Sequence, residues 1–171
     1  MVIRPHDLDD TVTPDVEPGA RSAAARRRRH SRWQAAGSAA TLYAAVALGT
    51  VIGGVLRAIA SLAIHGHAEA GFPWATLFVN ATGSFVIGLY AALSGPDGRL
   101  FAGPTQRQFV MTGICGGYTT FSVFSLETFR LLQAGNLPAA GINVAVSVVA
   151  WLLSVWAGYT IASRLNRLKG A

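Results

Sequence analysis

The sequence predicts an all-α membrane protein with four transmembrane helices. Of its 171 residues, 51% are hydrophobic and only 13% are charged, and the apolar residues are grouped in four long runs. A helix needs roughly 20 apolar residues to cross a bilayer, and each run is long enough. The single cysteine, Cys115, excludes an intrachain disulfide framework and offers no metal-ligand spacing. We therefore expect one small membrane domain.

The N-terminal segment, residues 1–38, is predicted to be a disordered basic tail. It combines three prolines, an acidic patch and a basic stretch that begins with the run Arg26–Arg29. Without hydrophobic periodicity, it buries too little apolar surface to offset the entropy lost on ordering. We interpret it as a solvated flank that fixes orientation, although an anionic-lipid or nucleic-acid patch is the alternative. The remaining boundaries describe a transmembrane domain at 39–165 and a C-terminal tail at 166–171.

Within that domain, the predicted helices cover about 39–64, 73–94, 104–133 and 139–162. In the first helix, Gly49 and Gly53 have the spacing that allows two helices to approach closely. Arg57 lies near the end of this helix. Its guanidinium either reaches the membrane interface or marks the mouth of an anion path.

The second helix carries a polar face. Thr76, Asn80, Gly83 and Ser84 recur at helical spacing. An asparagine inside a membrane is unfavourable unless its amide has a partner. Asn80 therefore either bonds a neighbouring helix or donates into a pore.

The third run is interrupted by three glycines. Gly113, Gly116 and Gly117 lie where a continuous helix is otherwise expected. Each glycine costs about 1 kcal/mol relative to alanine, so the third helix is predicted to be broken. Irregular backbone at membrane depth is tolerated only inside protein or beside a wet cavity, which makes the break a candidate ion or substrate site. Beyond it lie two phenylalanines, several hydroxyls and Glu127, the only carboxylate in the four runs. Glu127 is either a capping or interfacial residue or a hydrogen-bond relay.

The fourth helix carries a second polar or small stripe, and the charges predict an orientation. The stripe comprises Asn143, Ser147, Ser154 and Gly158. Twelve of the fourteen basic residues fall in the two termini and the second loop, which lie on one side of a four-span protein. The positive-inside rule then predicts that both termini are cytoplasmic in a multi-pass plasma-membrane protein.

Three motifs resemble signatures of the Fluc (CrcB) fluoride channel family. They are GGVLR at Gly53–Arg57, TLFVNATGSF at Thr76–Phe85 and GGYTTFSVFSLE at Gly116–Glu127. The resemblance covers about residues 42–165 and all four predicted helices. It implies a passive channel that exports cytoplasmic fluoride and limits its toxic accumulation. It also implies an antiparallel dimer with two pores at the interface.

The resemblance further implies which residues form the pore and hold an ion. The implied pore residues are Phe121, Phe124, Asn80, Thr120, Ser147, Arg57, Glu127 and Asn143. Asn143 stands where many relatives carry tyrosine. A structural sodium ion at the dimer interface is implied at the backbone carbonyls of Gly116 and Thr119.

Partner and function alternatives remain at this point. The strong charge bias predicts a single orientation, so the dimer is either a homodimer or a heterodimer with an oppositely oriented homologue. One alternative function is a small four-helix proton-coupled exporter of organic cations, and another is a structural or chromosome-associated membrane protein acting through its arginine tail. We expect fluoride and membrane lipid, and no nucleic acid, as partners. No ATP motif, redox centre or nucleophile–base pair is present, so the sequence does not indicate an enzyme.

Overall fold

The computed structural model describes residues 18–65, 72–96 and 98–168 of the chain. Its elements are α1 (Pro18–His65), α2 (Trp74–Leu93), α3 (Pro104–Gln108), a π-helical segment (Phe109–Cys115), α4 (Gly116–Tyr118), α5 (Phe121–Gln133) and α6 (Leu137–Arg167). Within those ranges there is no strand. The predicted all-α class is therefore confirmed.

Four helical stretches are long and apolar enough to cross a membrane, as predicted. They are Ala36–Ile64, Trp74–Leu93, Pro104–Gln133 and Leu137–Arg167. The last of them continues five residues beyond the predicted end at 162. The extension contains Arg164 and Arg167, and cations near a helix C-terminus interact favourably with its dipole.

Helix α1 begins well before the predicted end of the disordered tail. Residues 18–38 are helical, whereas the sequence predicted disorder for 1–38. The difference has a compositional cause, because this stretch is rich in alanine and arginine, both strong helix formers. It also continues an apolar helix, so no separate nucleation is needed. Residues 1–17 lie outside the described residues.

The chain divides into two compact units, residues 1–40 and 41–171. Every contact described below lies within the second unit. Within it, helices α2 and α6 form an extensive contact. Gly88 and Gly158 lie in this seam, where an added Cβ would come within 3.1 Å of Val155 Cα and 2.9 Å of Leu89 N, respectively. The two helices therefore pack backbone against backbone.

Helix α1 packs equally closely against the third span. A Cβ on Gly49 would lie 2.9 Å from the Cα of Gly113, and a Cβ on Gly53 would lie 2.7 Å from the amide nitrogen of Tyr118. A Cβ on Gly117 would lie 2.9 Å from Thr50 Cα. The predicted role of Gly49 and Gly53 in close helix approach is confirmed. Gly113 and Gly117 of the third span allow the same close contact with α1.

Extended backbone in the third span occurs at two threonines. Gly116 has helical angles (φ −65°, ψ −36°), and the chain leaves the helix at Thr119 (φ −81°, ψ 160°) and Thr120 (φ −149°, ψ 123°). We call these two residues the Thr119–Thr120 linker. β-Branched residues fit extended backbone well, whereas the preceding glycines allow close packing. The extended backbone therefore falls at the two threonines and not at the glycines that precede them.

Candidate functional site

Asn80 holds the Thr119–Thr120 linker through a reciprocal pair of hydrogen bonds. Its Nδ2 donates to the carbonyl oxygen of Thr120 at 2.8 Å, and the Thr120 N–H donates to its Oδ1 at 2.7 Å. Asn80 is only 5% exposed. Backbone groups outside a helix need partners when they are buried, and one amide side chain satisfies both groups of Thr120.

Arg57 caps a second backbone group near the linker. Its Nε donates to the carbonyl oxygen of Gly117 at 3.2 Å. In a continuous helix this oxygen would accept the N–H of residue 121, but the extended linker moves that N–H away. From the sequence, Arg57 was expected either at the membrane interface or at the mouth of an anion path. The observed contact is a third arrangement, with the guanidinium turned to the protein backbone.

The threonines of the linker complete the local hydrogen bonding. Both the N–H and the Oγ1 of Thr119 donate to the carbonyl oxygen of Cys115, at 3.0 and 2.9 Å. The Oγ1 of Thr120 accepts the N–H of Val123 at 3.2 Å and so caps the N-terminus of α5. Among the described residues, no hydrogen bond reaches the carbonyl oxygens of Gly116 and Thr119.

A cavity of about 300 Å³ opens beside the linker. Its lining residues are Asn80, Gly83, Ser84, Ile87, Met111, Cys115, Gly116, Thr119, Thr120, Phe121 and Trp151. Five of the predicted site residues therefore meet here: Asn80, Gly116, Thr119, Thr120 and Phe121. The cavity wall combines neutral hydrogen-bonding groups with apolar surface.

The two candidate pore phenylalanines lie next to each other in different environments. The ring centroids of Phe121 and Phe124 are 5.7 Å apart with an interplanar angle of 47°. Phe121 is 72% exposed and borders the cavity, whereas Phe124 is 7% exposed. Phe124 also contacts the Trp151 ring in a T-shaped arrangement, with centroids 5.0 Å apart. The pair thus connects the cavity to the α5–α6 contact.

A second polar group lies along that contact. Asn143 Nδ2 donates to Thr128 Oγ1 at 2.8 Å, and Ser147 Oγ donates to Asn143 Oδ1 at 3.4 Å. Thr128 Oγ1 in turn donates to the carbonyl oxygen of Phe124 at 2.8 Å. We call this group the α5–α6 polar row. It consists of the side chains of Thr128, Asn143 and Ser147 and the backbone carbonyl of Phe124. Asn143 and Ser147 are among the most deeply buried side chains that the structure describes.

Glu127 is joined to α2. Its Oε1 accepts a hydrogen bond from Thr76 Oγ1 at 2.9 Å, and Thr76 is buried. Glu127 does not line the cavity beside the linker. The eight predicted pore residues therefore fall at the linker, along the polar row, or at the Glu127–Thr76 bond.

Sequence reasoning missed two residues as site candidates. Thr128 joins the polar row to the backbone of α5; its helical spacing places it on the same stripe as Phe121 and Phe124, but did not mark it as a site residue. Trp151 lines the cavity, and its Nε1 is buried without a hydrogen-bond acceptor among the described residues. Tryptophan in a membrane helix usually packs or faces lipid, so the sequence carried no signal for this arrangement.

Comparison with known proteins assigns the family. Residues 44–159 match the family described as CrcB-like protein, Camphor Resistance (CrcB). Over 131 residues, 77% of this chain and 93% of the relative, the chain is 64% identical to the fluoride-specific ion channel FluC 1 of Rhodopseudomonas palustris (strain BisB18). It is 59% identical over 138 residues, 81% of this chain and 93% of the relative, to the fluoride-specific ion channel FluC 1 of Bradyrhizobium diazoefficiens. It is 52% identical over 125 residues, 73% and 98% of the two chains, to the fluoride-specific ion channel FluC of Paramagnetospirillum magneticum. The matched region contains every candidate site residue, and the chain belongs to the CrcB-like family.

Proposed function

We propose that this chain forms a fluoride-selective channel that exports cytoplasmic fluoride passively. The observation that carries the proposal is the Asn80 amide at the wall of the cavity. One of its two N–H groups is used by Thr120, and among the described residues no protein acceptor takes the other. A neutral donor with a spare N–H, in a cavity that the Phe121 ring also lines, suits a small anion.

Fluoride chemistry explains why neutral donors and ring edges suit this path. The ion is small and tightly hydrated, so a pore must replace its water without trapping it. Amides and hydroxyls donate hydrogen bonds without the strong attraction of a full positive charge. Phenylalanine edges carry positive potential, so Phe121 and Phe124 would receive a partly dehydrated anion and repel cations.

We further propose that the channel is an antiparallel dimer in which the Thr119–Thr120 linker is the functional break of the third helix. Support comes from Phe121, a large apolar side chain exposed at the rim of the cavity. A second copy or a homologous subunit would cover this ring and enclose the anion path. Both a homodimer and a heterodimer satisfy this requirement.

A sodium ion at the dimer interface would be held by the carbonyl oxygens of Gly116 and Thr119. These oxygens fit a hard cation, because they accept no hydrogen bond from the described residues, and a Cβ on Gly116 would meet nothing within 4 Å. No group of three His, Cys, Asp or Glu side chains that could hold a metal occurs in the described parts of the chain. When bound, the ion would supply positive potential to nearby anion paths.

Export needs no energy source beyond the membrane potential. Hydrogen fluoride crosses bilayers as a neutral molecule and dissociates inside the cell. An inside-negative potential then drives the anion outward with about 2.3 kcal/mol per 100 mV. We propose a plasma-membrane location with both termini cytoplasmic, as the distribution of basic residues favours.

The cavity does not suit a proton-coupled cation exporter. Such a protein needs a carboxylate where its substrate binds. The residues that line the cavity include no carboxylate. Glu127 instead accepts a hydrogen bond from Thr76 on α2. These observations favour the channel.

Fluoride efflux from proteoliposomes tests the proposed function. The full chain is reconstituted alone, and released fluoride is followed with an ion-selective electrode, with chloride as the control ion. We expect fluoride efflux that does not respond to a pH gradient, and no chloride efflux. Efflux at the level of protein-free liposomes would contradict a channel made of this chain alone, and dependence on the pH gradient would favour the exporter. Removing residues 1–38 should leave the efflux unchanged.

A further inference from the structure

The loop between α2 and α3, residues 94–103, is held against the C-terminal end of α6. Asn166 Nδ2 donates to the carbonyl oxygen of Ala92 at 2.9 Å, and the Arg99 N–H donates to Asn166 Oδ1 at 3.3 Å. The Leu100 N–H donates to the carbonyl oxygen of Leu93 at 2.9 Å. These bonds hold residues 99 and 100 of the loop against α6 and α2, respectively.

The residues next to these bonds present apolar side chains outward. Phe101 is 95% exposed, and Leu100 is also exposed, as is Leu168 at the C-terminal end of α6. A phenylalanine ring in water is unfavourable, and the loop bonds do not turn it inward. The boundary between lipid tails and headgroups is an environment in which aromatic side chains are common.

The same end of the molecule is strongly basic. Arg99, Arg164 and Arg167 are exposed, and Arg107 is half-buried. Arg107 lines a cavity of about 450 Å³ together with residues of the loop, among them Ser94 and Phe101. Against these four arginines the stretches 94–107 and 164–168 contain one carboxylate, Asp97, which lies outside the described residues.

We propose that this surface binds an anionic phospholipid. The surface is defined by Phe101, Arg99, Arg107, Arg164 and Arg167. The lipid phosphate occupies the cavity at Arg107, because a guanidinium matches phosphate with paired hydrogen bonds. The exposed ring of Phe101 lies against the acyl chains. A free phosphate ion would use the arginine but not the ring, so the adjoining apolar group identifies a lipid as the occupant. The proposal does not depend on the fluoride path.

Native mass spectrometry of the detergent-purified full chain measures this binding. The probes are a short-chain phosphatidylglycerol, the matching phosphatidylcholine and inorganic phosphate. We expect the phosphatidylglycerol to be retained and the other two to be lost. Arg107→Gln should weaken retention about five-fold, the loss expected for one basic residue near a lipid surface. The matched control is Arg130→Gln, which removes an exposed arginine in the last turn of α5, outside this surface.

Phe101→Ser gives an independent test, because an exposed side chain can be replaced without disturbing the core. It should also weaken phosphatidylglycerol retention, with all arginines present. Equal losses in Arg107→Gln and Arg130→Gln would overturn the proposal in favour of general charge attraction. Phosphate retained as strongly as phosphatidylglycerol would assign the cavity to a free anion. A changed oligomeric mass in Phe101→Ser would assign the ring to a contact with a second copy.

Discussion

Two buried asparagines organise the two polar regions of this molecule, and they have different partners. Asn80 bonds the backbone of Thr120 at the linker, whereas Asn143 bonds the side chains of Thr128 and Ser147. A backbone N–H or carbonyl in a fixed segment cannot reorient when it loses its partner, whereas a hydroxyl can rotate to a new acceptor. The first region is therefore part of the fold, whereas the hydroxyls of the second can change partners.

The comparison predicts the largest loss of stability for Asn80→Ala. The substitution leaves the N–H and the carbonyl of Thr120 without their side-chain partner at the wall of the cavity. We expect a loss of about 2–4 kcal/mol in the free energy of unfolding, together with loss of fluoride efflux. Thermal unfolding in detergent measures the first effect, and liposome efflux the second.

Asn143→Ala is the matched control for that experiment. It removes a similarly buried amide, but Thr128 and Ser147 hydroxyls can rotate toward other acceptors. We expect a stability loss of about 1 kcal/mol, with reduced efflux. A loss equal to that of Asn80→Ala would remove the distinction between the two regions.

Arg57→Met should have the next largest effect on stability. Methionine is flexible and apolar, so it occupies similar space while removing the donor to the Gly117 carbonyl. An unsatisfied buried carbonyl costs about 1–2 kcal/mol. Arg130→Met is the control at an exposed arginine, and its unfolding temperature should match that of the wild type. Equal unfolding temperatures for the two variants would show that the Arg57 bond does not stabilise the linker.

The sequence predicted some features of these regions and not others, for identifiable reasons. Span length and the glycine spacing in α1 are local patterns, so the four helices and the close approach at Gly49 were predictable. The partners of Arg57 and Asn80 lie 60 and 40 residues away, and such pairing depends on how the helices align. For Asn80 the sequence therefore predicted the need for a partner, but not its identity.

The position of the linker was also beyond local reasoning. Glycine is a poor helix former in isolation, which is why the third run was predicted to break at its glycines. Packing reverses this preference at Gly113 and Gly117, because only glycine allows α1 to come so close. The extended residues then fall at Thr119 and Thr120, where Asn80 supplies replacement hydrogen bonds.

Phe121 and Phe124 differ in burial, and their substitution should therefore affect stability differently. Phe121→Ile and Phe124→Ile should both reduce fluoride efflux, because each removes an aromatic edge from the proposed path. Only Phe124→Ile should reduce stability, by about 1 kcal/mol, since its ring packs against Trp151. Efflux assays and thermal unfolding of both variants separate the two roles. Unchanged efflux in both variants would remove the phenylalanines from the path.

Trp151 differs from both asparagines, because its indole N–H donates to neither backbone nor side chain among the described residues. Trp151→Phe keeps an aromatic ring against Phe124 and removes the indole N–H. Removing an unsatisfied buried donor is favourable and losing ring volume is unfavourable, so the net change in stability should stay within about 1 kcal/mol.

If the indole N–H donates to fluoride in the path, Trp151→Phe should lower efflux while the unfolding temperature hardly changes. Trp156→Phe, at a tryptophan that is 66% exposed on the same helix, is the control and should conduct like the wild type. Reduced efflux in the first variant alone would identify the N–H as a donor kept for the ion. Wild-type efflux would mean that Trp151 only packs against Phe124. An orphan donor would then be a cost of the fold, because no transported ion would use it.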